Sequence, residues 1–481
     1  MSKAGTQKFR DMSRGIVQRV DNAITPSNSV YLGVNLLFDD VIGRAVIRSG
    51  TKLLGAQIAS GKSCLGLHQH ITTDGTRVPL ALFNAAGDAT AVLKKYTSSS
   101  WSNAKTGLTA STKMRFLTFL DTTVGISQSD QITSTDGATW AATAGNMDVA
   151  NMPDGSLIEE FKDKVYVAGV SGNLDRLYNS STPTAGAVSF TTGHGNTDIE
   201  PEEGAGPITA LNKVPGYLLI FKERSMKRWD TQSTFPESMV SVGAPSNEAV
   251  IRARQSVIFY SPQIGLMETI GGYPRNISRR VKDIMKAIPS SYYGSVSGWF
   301  DGGERVLVSI GDITLGDLSL TNCVVVYNLD TQSFSLLSFP NEFQMFHKYV
   351  DSNGKEEVMA GDDDGNVWRV LQGVGDGASS APIDWTLQYH VQEFGSRGRI
   401  KDLSKMVAYT KNVRNGRVSM RREEVGSFAP FGKSTIRKDV QEIIGDLKAR
   451  YFELRVQGSG VSGEIIGFDF PEIDININYE T

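Results

Sequence analysis

The sequence has little of the chemistry that marks most enzymes and secreted domains. It holds two cysteines and five histidines in 481 residues. Cys64 and Cys323 lie far apart, in Ser-Cys-Leu-Gly-Leu and Asn-Cys-Val-Val-Val, so zinc-type spacing and a disulfide framework are both excluded. Both are expected to be buried free thiols, which suits assembly in a reducing compartment. No apolar run approaches the roughly 18–20 residues of a membrane helix. The opening Met-Ser-Lys-Ala-Gly-Thr-Gln-Lys-Phe-Arg lacks the apolar stretch of a signal peptide. No membrane segment is expected.

Catalytic and ligand motifs are broken where they begin. Gly55-Ala-Gln-Ile-Ala-Ser-Gly61-Lys62-Ser63 places five residues between the first glycine and Gly-Lys-Ser. A phosphate loop needs four, because successive amides must wrap the phosphate. His68 and His70 alternate on one strand face, but no third ligand is near in sequence. Asp362-Asp-Asp-Gly-Asn misses the calcium-loop spacing and reads as a tight turn. No Gly-x-Ser-x-Gly elbow occurs, the histidines give no triad order, and no pair of carboxylates stands out for glycan hydrolysis. The expectation is a non-enzyme with no catalytic residues, no metal site and no cofactor.

What is abundant is glycine, at 49 residues, crowded with Ser, Thr and Asn between short apolar runs. That is the composition of many short strands joined by tight turns. From 66 to 380 one layout recurs, an apolar strand, a polar or Gly turn, and a strand with an aromatic. Leu218-Leu-Ile-Phe leads to Trp229, Val358-Met-Ala-Gly to Trp368, Val165-Tyr-Val-Ala-Gly to Tyr178, and Val324-Val-Val-Tyr to Phe334. Such units recurring every few tens of residues predict propeller blades. Their irregular period leaves an array of stacked β-sandwiches as the alternative. Ser134-Thr-Asp136-Gly137-Ala-Thr-Trp140 resembles the Asp-box hairpin of sialidase-type propellers, a turn remote from the active site in that family.

The predicted fold class is all-β, a β-propeller plus a C-terminal antiparallel β-sandwich platform domain, with few short helices. The predicted organisation is a basic N-terminal arm over 1–30, strands joining the platform over 31–65, the propeller over 66–380, and the platform over 381–481. In the arm, Phe9, Met12, Ile16 and Val20 have near-helical spacing that Gly15 weakens. Ser278 is the predicted N-cap of one helix, with Val281, Ile284, Met285 and Ile288 on its inner face and Pro289 as its stop. Asn415-Gly416 predicts a hairpin turn.

Net charge is −3, but it is segregated: 1–62 carry 9 Lys+Arg against 4 acids, 63–390 carry 25 against 35, and 391–450 carry 14 against 7. The last 31 residues carry 1 against 6. Solvated faces explain this; so does complementary charge between subunits of a ring, or steering around a polyanion. Arg397, Arg399, Arg414, Arg417, Arg421 and Arg422 are the candidate basic interface, with plain solubility as the competing explanation.

Taken in order, four segments resemble the propeller-type tail-tube nozzle (tail hub, or stabilisation) proteins of short-tailed bacteriophages. They are Pro26-Ser-Asn-Ser…Asn35-Leu-Leu-Phe38-Asp39…Arg48-Ser-Gly50-Thr51, then Gly206-Pro-Ile-Thr-Ala-Leu…Gly216-Tyr-Leu-Leu-Ile-Phe…Ser225-Met-Lys-Arg-Trp. The others are Tyr260-Ser-Pro-Gln-Ile-Gly-Leu…Gly271-Gly…Ile277-Ser278…Val281…Ile284, and Tyr451-Phe-Glu-Leu-Arg-Val-Gln-Gly-Ser-Gly…Gly463-Glu-Ile-Ile-Gly-Phe. The resemblance implies a virion tail protein, made and assembled in the host bacterial cytoplasm. It implies a homo-oligomeric, hexameric ring beneath the portal and head-to-tail adaptor, carrying tail fibres or spikes, with viral DNA passing transiently through. The main alternative is a receptor-binding propeller that binds or cleaves host-surface glycans. An adaptor ring of the same virion is a third, disfavoured by the β-rich length.

Overall fold

Alternating apolar and polar residues with turn-forming glycines give strands rather than helices, and strands make up nearly all the regular structure of the computed structural model. It describes every residue except 1, 5–6, 19–25, 27, 39–42, 143–144, 200–205, 393–399, 414, 423–426, 433–434, 472 and 477–481. The protein is all-β and contains a β-propeller.

Among the described residues, seven antiparallel blades are arranged in a ring, one of them part of a larger sheet. Their innermost strands are Cys64–Ile71, Arg115–Phe119, Leu157–Phe161, Ile208–Val214, Val250–Ala253, Ser297–Phe300 and Phe343–Val350. Each packs on the next, and the seventh packs on the first, so the ring is closed. We number the blades 1 to 7 in that order. The recurrent hairpins fall inside blades: Leu218 pairs with Trp229, Val167 with Tyr178, Ala360 with Trp368, and Tyr327 with Phe334. Among the described residues, blade 2 has three strands and the others four or more.

Blade 7 is completed from a distant part of the chain. Its outermost strand is Gly50–Leu53, antiparallel to Val367–Gly373 with Trp368 opposite Leu53. A β-carbon on Gly50 would lie 1.8 Å from the Gly375 carbonyl oxygen, so only glycine permits this backbone approach. The segment 31–65 therefore divides, against the expectation that all of it joins the platform. Leu32–Val34, Leu36–Leu37 and Ala45–Ile47 enter the platform sheets, Gly50–Leu53 closes the propeller, and Cys64 opens blade 1.

The platform is two sheets over a shared core. One contains Ile400–Lys411, Val440–Ala449 and Glu464–Phe470. The other contains Ile383–Gln388, Phe452–Gly460 and Arg417–Arg422, and it does not end at the platform. Through Leu32–Val34, parallel to Phe334–Ser338, it continues into blade 6 as one nine-stranded sheet. Leu387, Tyr389, Met406, Val456 and Phe468 belong to the same buried cluster as Val306, Val308 and Val325 of blade 6. Apolar burial of this kind is the main favourable term holding the two parts together.

Three local expectations are corrected. The N-terminal segment is not a free arm: Gln7–Phe9 pairs with Glu464–Phe470, and Phe9, Met12 and Ile16 are buried in the platform core. Burying three large side chains outweighs what a solvated basic helix would gain, and Val20 lies outside the described residues. The Ser278 helix buries its four apolar residues as expected, but it is a 3-10 turn running into Lys282–Lys286. Ser278 does not cap it; its hydroxyl accepts the Leu266 N–H at 2.9 Å. Asn415 has the positive φ of a turn (60°), yet the strands on either side pair in opposite platform sheets instead of forming a hairpin.

Arg48 sits where the parts meet and is fully buried. Its guanidinium donates twice to Asp376 (2.8 and 2.5 Å), to Asn35 Oδ1 (2.8 Å) and to the Ser338 carbonyl (2.7 Å). It also lies 4.0 Å over the Phe339 ring. Three residues on, the Thr51 hydroxyl accepts the Gly377 N–H at 3.1 Å. Asp376→Ala strands the buried charge, and the expected cost is about 3–5 kcal/mol of stability, read from urea unfolding. A midpoint equal to wild type would overturn this account of the junction.

Candidate functional site in the propeller axis

The innermost strands leave a cavity of about 510 Å³ along the axis, lined by residues of all seven blades. Arg252 and Gly302 line it and are exposed, so it opens to solvent there. On one side runs a ladder of rings. Phe116 stacks on His68 with centroids 5.5 Å apart, His68 meets His347 edge-on at 4.8 Å, and His347 stacks on Trp299 at 4.8 Å. The ladder crosses blades 2, 1, 7 and 6, and hence the seam where the propeller closes.

The two histidines join the seam through His68 Nδ1 and His347 Nε2, 3.2 Å apart. His68 Nε2 reaches Thr118 Oγ1 at 3.0 Å, and His347 Nδ1 lies 2.9 Å from the Lys348 carbonyl, to which it must donate. Burial pushes His347 down to about 4 and holds His68 well below the ordinary histidine value, so the pair is neutral near pH 7. His70, its neighbour on the strand face, contacts Thr123 Oγ1 and the Thr135 carbonyl. These contacts account for the alternating His68 and His70 as hydrogen-bonding residues between blades.

Beside Trp299 lies a buried ion pair. The Glu248 carbonyl accepts the N–H of Gly298, which holds the loop entering blade 5 against the inner strand of blade 6. Its carboxylate lies 2.7 Å from Arg115 Nη2 and 3.9 Å from Lys113 Nζ. Burial opposes ionisation of Glu248, but Arg115 and Lys113 outweigh it and keep the carboxyl below its usual range. Arg115 is fixed in turn by donating to the Ser156 carbonyl at 2.5 Å. Nothing near Glu248 or Arg115 in the sequence marks them, because ring closure alone brings them together.

The remaining motifs form turns and links. Asp136 accepts the Ala138 and Thr139 N–H groups at 2.8 and 2.7 Å, and the Trp140 indole donates to Gly137 O, forming a tight turn in blade 2. Asp362 accepts from Asp364 N, Asn366 N and the Trp368 indole, forming the turn between two strands of blade 7. Gly55–Ser63 links blade 7 to blade 1 and is pinned by Gly61 N–H donating to Asp364 at 2.7 Å. Cys64 and Cys323 are buried and free, and burial pushes both thiols up to about 12.

Of the candidate interface arginines, Arg397, Arg399 and Arg414 lie outside the described residues. Arg417 and Arg422 are exposed at the two ends of the strand Arg417–Arg422. Arg421 is engaged within the chain: it donates to Glu453 at 2.8 Å and packs over Phe428. Glu453 belongs to a network that continues through Gln388 and Arg455 to Asp317, at the tip of the long hairpin of blade 6.

No protein-family model and no curated protein sequence matches the chain. Among solved structures it is similar to YCF48 bound to D1 peptide, with 10% identity and TM-score 0.39, over 66% of this chain and 95% of that one. It is similar to the Neurospora crassa Pan2 WD40 domain, with 8% identity and TM-score 0.40, over 67% and 94%. The extracellular domain of the putative one component system BT4673 from B. thetaiotaomicron matches with 12% identity and TM-score 0.43, over 81% of this chain and 46% of that one.

Because His347 and His390 are both pushed down to about 4, the unfolded chain binds more protons between the ordinary histidine value near 6.5 and 4. Stability contributed by these groups is therefore complete above pH 6.5 and lost as pH falls toward 4. Melting temperature is expected to drop across that window, and His347→Gln should make the drop shallower. An equal slope in wild type and His347→Gln would remove the seam histidine from this account.

Proposed function

We propose that this chain is a structural, non-catalytic component of a bacteriophage tail, one protomer of a nozzle or hub ring. In that reading the ring is hexameric and sits below the portal and adaptor, carries fibres or spikes, and passes viral DNA during ejection. It resides in the virion tail after assembly in the host cytoplasm. The observation that carries the reading is the rigid coupling of propeller to platform. A nine-stranded sheet spans both, and a fully buried arginine locks the segments that cross between them. A body that transmits load without a hinge suits a conduit wall.

The propeller's own axis is not the conduit in this proposal. A space of 510 Å³ is the size of a small-molecule site, too small for a B-DNA duplex whose major groove alone is about 12 Å wide and 8.5 Å deep. DNA would pass between protomers. Protomer contacts would then use the platform, where the long strand Val440–Ala449 leaves Val440 59% and Ile444 74% exposed, along with Arg417 and Arg422. Acidic stretches facing the lumen would let DNA slide, since each Lys or Arg contact to phosphate adds drag.

Negative-stain microscopy with mass photometry, on the protein alone and with tail components, is the direct test. A closed ring, or a monomer that closes only on its adaptor, is expected, and Arg417→Glu with Arg422→Glu is expected to weaken closure. A monomer that ignores tail components would overturn the proposal. The isolated protein is expected to bind duplex DNA weakly at physiological salt; nanomolar affinity would sink the sliding lumen.

A further inference from the structure

A second pocket, of about 210 Å³, lies away from the axis. The outer strand of blade 5, Arg275–Asn276, and the turn after it face Tyr327 and Gln332 of blade 6 across it. It shares no lining residue with the axial cavity. Three arginines line it, and only one is matched. Arg275 donates to Glu268 at 2.8 Å. The side chains of Arg279, exposed, and Arg280, half-buried, make no hydrogen bond and no ion pair among the described residues.

The backbone that carries these two arginines is fixed. The Arg280 carbonyl accepts the Gln18 N–H at 2.6 Å, and the Ser278 hydroxyl accepts the Leu266 N–H at 2.9 Å. Like charges held on one pocket repel, and a half-buried guanidinium has given up part of its hydration. Both costs fall when an anion enters. The neutral side chains of Tyr327 and Gln332 also make no hydrogen bond among the described residues, and both can donate. Burial and Glu268 raise the Tyr327 pKa while Arg275 and Arg280 lower it, which places its hydroxyl near the charged groups of the pocket.

The charge count selects among anions. Arg279 and Arg280 leave two positive charges unmatched, and a phosphate monoester carries about −1.5 to −2 near pH 7. Its three terminal oxygens can accept from two guanidinium forks and a hydroxyl. A carboxylate or a phosphodiester brings a single charge and leaves one arginine unmatched. The volume is below the about 300–1,000 Å³ of sites that enclose a whole small molecule. It suits a phosphoryl head group whose remainder stays outside.

We propose that the groove between blades 5 and 6 binds a phosphate monoester dianion through Arg279, Arg280 and Tyr327. A small phosphate ester and the terminal phosphate of a nucleic acid offer the same head group, and the test separates them. The site is independent of ring assembly, and a monomer would retain it.

The test is calorimetric titration of the full chain with inorganic phosphate, a hexose 6-phosphate, and a single-stranded oligonucleotide with and without a 5′-phosphate. Acetate is the control. Inorganic phosphate and the hexose phosphate are expected to bind, and Arg280→Gln is expected to weaken them about 10- to 100-fold, the worth of hydrogen bonds between charged groups. Binding of the 5′-phosphorylated oligonucleotide alone would keep the site and assign it to nucleic-acid ends. Should Arg280→Gln disturb the fold, two milder variants carry the test. Arg279→Gln changes an exposed side chain and is expected to weaken binding about 10-fold or more; Tyr327→Phe keeps the ring and is expected to weaken it about 2- to 10-fold. No binding of any phosphate, acetate binding equal to phosphate, oligonucleotide binding that ignores the 5′-phosphate, or unchanged affinity in the folded variants would each overturn the proposal.

Discussion

A guanidinium taken wholly out of water must recover its solvation from the protein, and at Arg48 that requirement organises the molecule. Its acceptors come from Asn35 in the N-terminal segment, from the Ser338 carbonyl at the outer strand of blade 6, and from Asp376 in the linker after blade 7. Phe339, between blades 6 and 7, covers its face. None of these residues is near another in sequence except the last pair around blade 6, so satisfying one side chain fixes three crossings of the chain. The specificity lies in the donor geometry. A planar fork with five N–H groups rejects arrangements that leave any of them dry and unpaired.

Around that point the rest follows from ordinary packing. The sheet of blade 6 continues into the platform because Leu32–Val34 supplies the missing strand between them. The long hairpin of blade 6 then overhangs the platform, where Asp317 meets Arg455 in two hydrogen bonds of 2.7 and 2.8 Å. The axial cavity depends on the same arrangement, since its aromatic ladder crosses the seam that Gly50–Leu53 helps to close.

What was legible in the sequence was local. Strand alternation, the aromatic second strands at Trp229 and Trp368, and the turns at Asp136 and Asp362 are written within a dozen residues each, and they predict the all-β propeller. The pairing of Gly50 beside Gly373, Phe9 beside Phe468 and Arg115 beside Glu248 has no local signature, because each contact joins segments far apart along the chain. For the same reason Asn415-Gly416 signalled a turn correctly but not which sheet would follow it. The Arg48-Ser-Gly50-Thr51 stretch stood out only as a resemblance. Its physical content is a buried cation, a backbone approach that excludes a side chain, and a hydroxyl that ties down Gly377.

The closing strand of blade 7 is translated before any blade exists, and its partner, Val367–Gly373, follows only after all the other blades. During synthesis Gly50–Leu53 therefore has no native neighbour, and the growing propeller presents an open sheet edge until the last blade leaves the ribosome. Contacts of such sequence separation form late, because the entropy of closing the loop is lost before the pairing can repay it. An unpaired edge is also a template for the wrong partner. Shielding nascent chains from one another is thus a requirement set by the topology of this ring.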